Sequence, residues 1–86
     1  MYAVELSREA ERFLNRCDAT TARKLVRCFE SLERNPRSGS NIKPLKGSLA
    51  GAYRYRVGDY RVVYTIDDNG VKVFVITIAH RRDVYD

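Results

Sequence analysis

The strongest constraint on this chain is a run of alternating β-branched and aromatic residues near its end, interrupted by only two turn signals. Tyr53-Arg54-Tyr55-Arg56-Val57 alternates strictly, and Gly58-Asp59 follows as a two-residue turn. Tyr60–Ile66 is the next strand, and Asp67-Asp68-Asn69-Gly70 is a second turn, with Asn69-Gly70 the strongest short hairpin signal in the sequence. Val71–Ala79 is rich in β-branched residues and reads as a strand buried on both faces. Strands joined this tightly form an antiparallel meander.

The segment upstream supplies the cover. Tyr2–Leu6 is a short alternating strand, and Ser7 is placed to cap a helix with Glu9 and Glu11 in its first turn. Ala10, Phe13, Leu14 and Cys17 then recur at helical spacing. Asp18-Ala19-Thr20-Thr21 breaks and restarts the pattern; Ala22, Leu25, Val26, Phe29 and Leu32 form a second stripe that stops before Asn35-Pro36. Arg37–Gly51 holds Gly39, Pro44, Gly47 and Gly51 and reads as a loop anchored by Leu45 and Leu49. The expected fold is α+β: a helical hairpin packed on a twisted, mostly antiparallel four-stranded sheet, in the order β-α-α-β-β-β, as one domain over residues 1–86.

Several function classes are excluded. With 86 residues there is no room for a separate cofactor module. The Val73–Ala79 region is far too short to span a membrane, and Met1–Glu5 lacks the features of a signal peptide. A cytoplasmic protein without a membrane partner is therefore expected. Cys17 and Cys28 read as two reduced thiols, and with His80 the only histidine no zinc ligand set can be assembled. Neither a metal nor a cofactor is expected.

Charge is more informative. The net charge is +5, with twelve Arg and four Lys among the basic residues. Residues 1–36 carry +1 and residues 65–86 carry −1, whereas residues 37–64 hold Arg37, Lys43, Lys46, Arg54, Arg56 and Arg61 against Asp59 alone. The excess is thus concentrated in the middle of the chain. If Gly58-Asp59 is the whole loop, Arg56 lies opposite Arg61 and Arg54 opposite Val63. Alternation then puts Arg54, Arg56 and Arg61 on one sheet face, with Tyr53 and Tyr55 on the other. Like charges directly opposite each other are unfavourable, so such a face suits an anion. Carried through a tight Asn69-Gly70 turn, the same register sets Arg61 opposite Ile78 and brings His80 onto the arginine face. Arg81, Arg82 and Tyr85 follow directly. Any one of these side chains taken singly has a simpler reading: arginines solubilise strand edges, and a lone histidine near a chain end is commonly solvated. Their convergence favours an anion site. Arginines around a phosphate stabilise charge that develops during phosphoryl transfer, and RNA brings its own nucleophile, the 2′-OH.

The run Gly58-Asp59-Tyr60-Arg61-Val62-Val63-Tyr64, the strand Val71–Ile78 and the ending His80-Arg81-Arg82-Asp83-Val84-Tyr85 resemble the RelE family of toxins, found in bacterial and archaeal toxin–antitoxin pairs. The resemblance runs through nearly the whole chain. It implies a metal-independent endoribonuclease, an mRNA interferase that cuts message in the ribosomal A site and is neutralised by a cognate acidic antitoxin. By motif position, the residues that carry activity in the family match Arg54, Arg56, Arg61, Arg81 and Tyr85. The second-strand pair is lysine in the best-known form and arginine here. Because arginine stays protonated, the proton acceptor expected on this reading is His80. The expected catalytic set is Arg61, His80, Arg81 and Tyr85; the expected RNA contacts are Arg54, Arg56, Lys43, Lys46 and Arg82. Two other functions share the fold: a ParE-like inhibitor of DNA gyrase, and a non-catalytic module binding nucleic acid or protein.

Overall fold

Ser7 ends one element and begins the next. Its hydroxyl accepts from the Ala10 N–H at 3.0 Å and donates to the Ile76 carbonyl at 2.6 Å. One side chain thereby caps α1 (Arg8–Arg16) and ties the end of β1 (Ala3–Leu6) to the sheet. Glu9 and Glu11 lie in the first turn of α1 and Arg16 in its last, each on the side the helix dipole favours. Asp18 caps α2 (Ala19–Arg34) by accepting from the Thr21 N–H, and α2 stops at Asn35, before Pro36. The computed structural model describes residues 1–84.

The remaining elements are β2 (Ile42–Pro44), β3 (Tyr53–Val57), β4 (Tyr60–Asp67) and β5 (Lys72–His80). They form a five-stranded sheet in the order β1-β5-β4-β3-β2. Only β1 and β5 run parallel; the other three pairs are antiparallel. The architecture is the expected α+β, with five strands where four were expected. The additional one, β2, lies inside the segment read as loop. Three residues give no periodicity, and β2 exists only because Ile42, Lys43 and Pro44 pair with Tyr55, Arg54 and Tyr53. Pro44, which has no N–H to donate, is tolerated on this edge strand.

Between β3 and β4 the register is the expected one throughout, from Val57 opposite Tyr60 to Tyr53 opposite Tyr64, with Arg56 opposite Arg61. Gly58 makes the turn possible by adopting φ +59°. Between β4 and β5 the expected register holds from Asp67–Lys72 as far as Tyr64–Val75 and then slips. Val63 lies opposite Thr77, leaving Ile76 as an extra residue in a β-bulge. Arg61 is consequently opposite Ala79, not Ile78, and His80 is opposite Tyr60. A slip of one residue exchanges the faces of every side chain beyond it.

The core lies between the helices and one sheet face. Leu25, Cys28 and Leu32 of α2 and Ala10 of α1 pack with Val57, Val62, Tyr64, Val73, Val75 and Ile78. Each fully buried leucine of this set contributes about 1.5–3 kcal/mol by leaving water. Tyr53 and Tyr55 pack at the margin of the core, on the face opposite the arginines as expected. Three expectations about burial need correction. Val26 is 46% exposed, because residues 25, 28 and 32 share the inward face of α2 and position 26 is turned away from it. Leu45 is buried but Leu49 is not. Nor is β5 buried on both faces: Phe74 and Ile76 are exposed, since the helices cover only one side of the sheet. The β-branched composition of β5 signals a strand without stating how many layers cover it.

Candidate nucleic-acid interface

Cross-strand partners share a face, and Val62 and Tyr64 face the helices. The residues between and beside them therefore face away. One row across this open face is Lys43–Arg54–Val63 and the next is Arg56–Arg61–Ala79. Arg54, Arg56 and Arg61 thus lie together as the sequence predicts, and Lys43 joins them through β2.

The arginines are held by backbone as well as by register. Arg61 Nη1 donates to the carbonyls of Gly58 and Tyr60, both at 2.9 Å, so its guanidinium bends back over the β3–β4 turn. Arg56 Nη2 donates to Asn41 Oδ1 at 3.2 Å, and the Arg56 N–H donates to the Asn41 carbonyl at 2.9 Å. Beside this pair lies a cleft of about 190 Å³ lined by Ser40, Asn41, Ile42, Lys43, Arg54 and Arg56. Partial burial lowers the pKa of Arg61, and the charges of Arg54, Arg56 and Arg81 lower it further, with Asp59 opposing them. A cation depressed by three cations is one that an incoming anion would relieve. It nevertheless remains charged at neutral pH.

Beyond β5 the chain makes a 3₁₀ turn, Arg81–Asp83. The Arg81 N–H donates to the Asp59 carbonyl at 2.8 Å, and Arg81 Nε lies 3.9 Å from Asp59 Oδ1. Val84 then packs against Leu45, Ala52 and Val63, a small apolar cluster on the open face.

His80 does not join this group. The bulge leaves it on the helix side, where its ring meets Tyr60 edge-on at 5.8 Å, and Tyr60 in turn meets Phe13 at 5.4 Å. Its Nδ1 accepts from both the backbone N–H and the Nε of Arg82, each at 3.3 Å. Arg82 is thereby turned toward the histidine. Lys46 is exposed just before a 3₁₀ turn at Gly47–Leu49. Tyr85 lies outside the described residues.

Two participants escaped the sequence reading. Asn41 carries no signal of its own, because its contact with Arg56 depends on the pairing of β2. Asp59 had one: it is the sole acid of residues 37–64. Chemically, the open face offers planar, fixed guanidinium groups able to bind phosphate oxygens bidentately and to stabilise negative charge on them.

Comparison with known proteins agrees with this fold. Residues 4–85 match the family described as "ParE toxin of type II toxin-antitoxin system, parDE". The chain is 36% identical to the toxin RelG of Mycobacterium tuberculosis over 86 residues, covering 98% of this chain and 95% of RelG. It is 42% identical to the toxin RelE of the same organism, covering 98% of this chain and 86% of that one. Its fold superposes on a chain of the RelBE2 toxin–antitoxin complex of M. tuberculosis with a TM-score of 0.81 and 32% identity, over 93% of this chain and 98% of the other. With its sheet order, its arginine face and these relatives in hand, the chain belongs to the RelE/ParE family of toxins of type II toxin–antitoxin systems.

Proposed function

We propose that this toxin is an mRNA interferase: an endoribonuclease that cleaves message held in the ribosomal A site, with the RNA 2′-OH as nucleophile. The observation that carries this reading is the gathering of Arg54, Arg56 and Arg61 on one open sheet face, with Arg81 tied to the adjoining β3–β4 turn. A transesterification at phosphorus needs charge stabilisation on the phosphoryl oxygens, and Arg61 and Arg81 are assigned that role. Arg54, Arg56 and Lys43 hold neighbouring phosphates. Tyr85 is assigned to nucleotide positioning or proton transfer by its match to the family's C-terminal tyrosine. His80 is not given the part of proton acceptor, since it lies across the sheet with Nδ1 engaged by Arg82. The basic open face also suits an acidic antitoxin segment that neutralises the toxin by covering it.

Arg61→Ala tests the reading. Cleavage of ribosome-bound message should fall by about 10²- to 10³-fold, the usual loss for one fixed transition-state donor, while the melting temperature is retained. A folded Arg61→Ala chain that remains fully toxic would refute it. The matched family description names ParE toxins, and the rival reading is a ParE-like inhibition of DNA gyrase. Inhibited supercoiling in a purified gyrase assay, with message left intact, would establish that rival instead.

A further inference from the structure

The β3–β4 turn does more than reverse the chain. Its carbonyls at Gly58 and Tyr60 receive Arg61, and its central residue, Asp59, receives Arg81 twice: by backbone carbonyl at 2.8 Å and by carboxylate at 3.9 Å. Asp59 is also the one acid in the strongly basic segment 37–64, where a carboxylate weakens attraction for RNA and so works against binding. A turn of this kind needs glycine at its first position and accepts Asn, Ser or Thr as readily as Asp at its second. Turn geometry therefore gives no reason for the charge.

We infer that Asp59 is a positioning residue: it anchors the start of the 3₁₀ turn after β5 so that the Arg81 guanidinium is held beside Arg61 on the open face. The β4–β5 ladder brings the two residues together, and the Arg81–Asp59 backbone bond extends it by one step. Arg81 lies one residue beyond the last ladder pair, Tyr60–His80, and among the described residues its side chain is paired with Asp59. The backbone bond fixes where the turn begins. The carboxylate selects among Arg81 rotamers, and its charge offsets part of the mutual repulsion between Arg81 and Arg61. The site thereby gives up some affinity for the polyanion and gains an ordered second arginine.

This inference rests on the nuclease reading of the open face, and its test separates the two. Asp59→Asn keeps the turn and the backbone carbonyl but removes the charge. In a ribosome-programmed cleavage assay with the full chain, it should lower kcat by about three- to fivefold, the scale of an exposed ion pair. KM should fall or stay level, because the arginine face has lost its opposing carboxylate. Loss of folded protein would lower the active fraction and the melting temperature without lowering KM. Asp59→Glu, which retains the carboxylate, should recover part of the rate. In an Arg81→Ala background, adding Asp59→Asn should leave kcat unchanged. An Asp59→Asn chain with parental kcat, or a loss that persists in full on Arg81→Ala, overturns the positioning role while leaving the nuclease reading intact. An Arg81→Ala chain that cleaves at the parental rate overturns the roles of Arg81 and Asp59 together, whereas a parental chain that leaves ribosome-bound message intact overturns the nuclease reading.

Discussion

Individual residues here are decided by what their polar atoms reach. Tyr64 is fully buried, yet its hydroxyl donates to the Pro36 carbonyl at 2.7 Å, and its ring stacks on Tyr53 at 5.7 Å. That bond joins the central strand to the loop leaving α2. Burial pushes the phenol well above its usual pKa, so the donor stays protonated throughout the physiological range. Tyr64→Phe would keep the packing and orphan a buried carbonyl, at a cost of about 1–3 kcal/mol. Urea denaturation should show a lower midpoint with unchanged slope; an unshifted midpoint would mean that water replaces the hydroxyl at no cost. Arg61 shows the same dependence on surroundings. Its place on a strand can be read from alternation, but the Gly58 and Tyr60 carbonyls that orient it follow only from the closed turn.

Between elements, the contact that joins most of the chain is a carboxylate. Asp68, in the β4–β5 turn, accepts from Arg37 Nη1 and Nη2 at 2.8 and 2.7 Å and from the Tyr2 hydroxyl at 2.9 Å. The turn, the loop after α2 and the N-terminal segment meet there. The hydrogen bond from Arg37, then that from Tyr2, hold the Asp68 carboxyl below its usual pKa. A carboxyl depressed in the folded state stabilises that state above its unfolded pKa, near 3.9, and the contribution is lost as pH falls through the folded value. Asp68→Asn should therefore melt below the parent at pH 7, with the two melting temperatures converging toward pH 2. A gap that stays constant across that range would show that the carboxylate charge is not responsible. The bulge at Ile76 also belongs to this scale. Asn69-Gly70 set the pairing correctly for the first four partners, and nothing in the composition of Val73–Ala79 marks where a residue will be left out of the ladder.

At the scale of the molecule, the layers separate two chemistries. The helices cover one sheet face and make the core, which leaves the other for the arginines. RNA affinity carried by that face should fall with salt, by about 0.7 in the log–log slope for each single-strand phosphate contact. Arg54→Ala and Arg56→Ala should each reduce the slope by about that amount, whereas Arg12→Ala, on exposed α1, should leave it unchanged. Equal effects from all three would indicate attraction to net charge alone. The sequence by itself determined the helical hairpin, the meander, the β3–β4 register and hence the shared face of Arg54, Arg56 and Arg61, because local periodicity and turn chemistry act over a few residues. Tertiary structure alone decided that three residues of a loop become β2, that Asn41 meets Arg56 and that Asp59 meets Arg81. It also decided that His80 falls on the helix side, for one unpaired residue at Ile76 reverses the parity of all that follows. Such pairings are set by which distant segments pack together, and no local pattern encodes them.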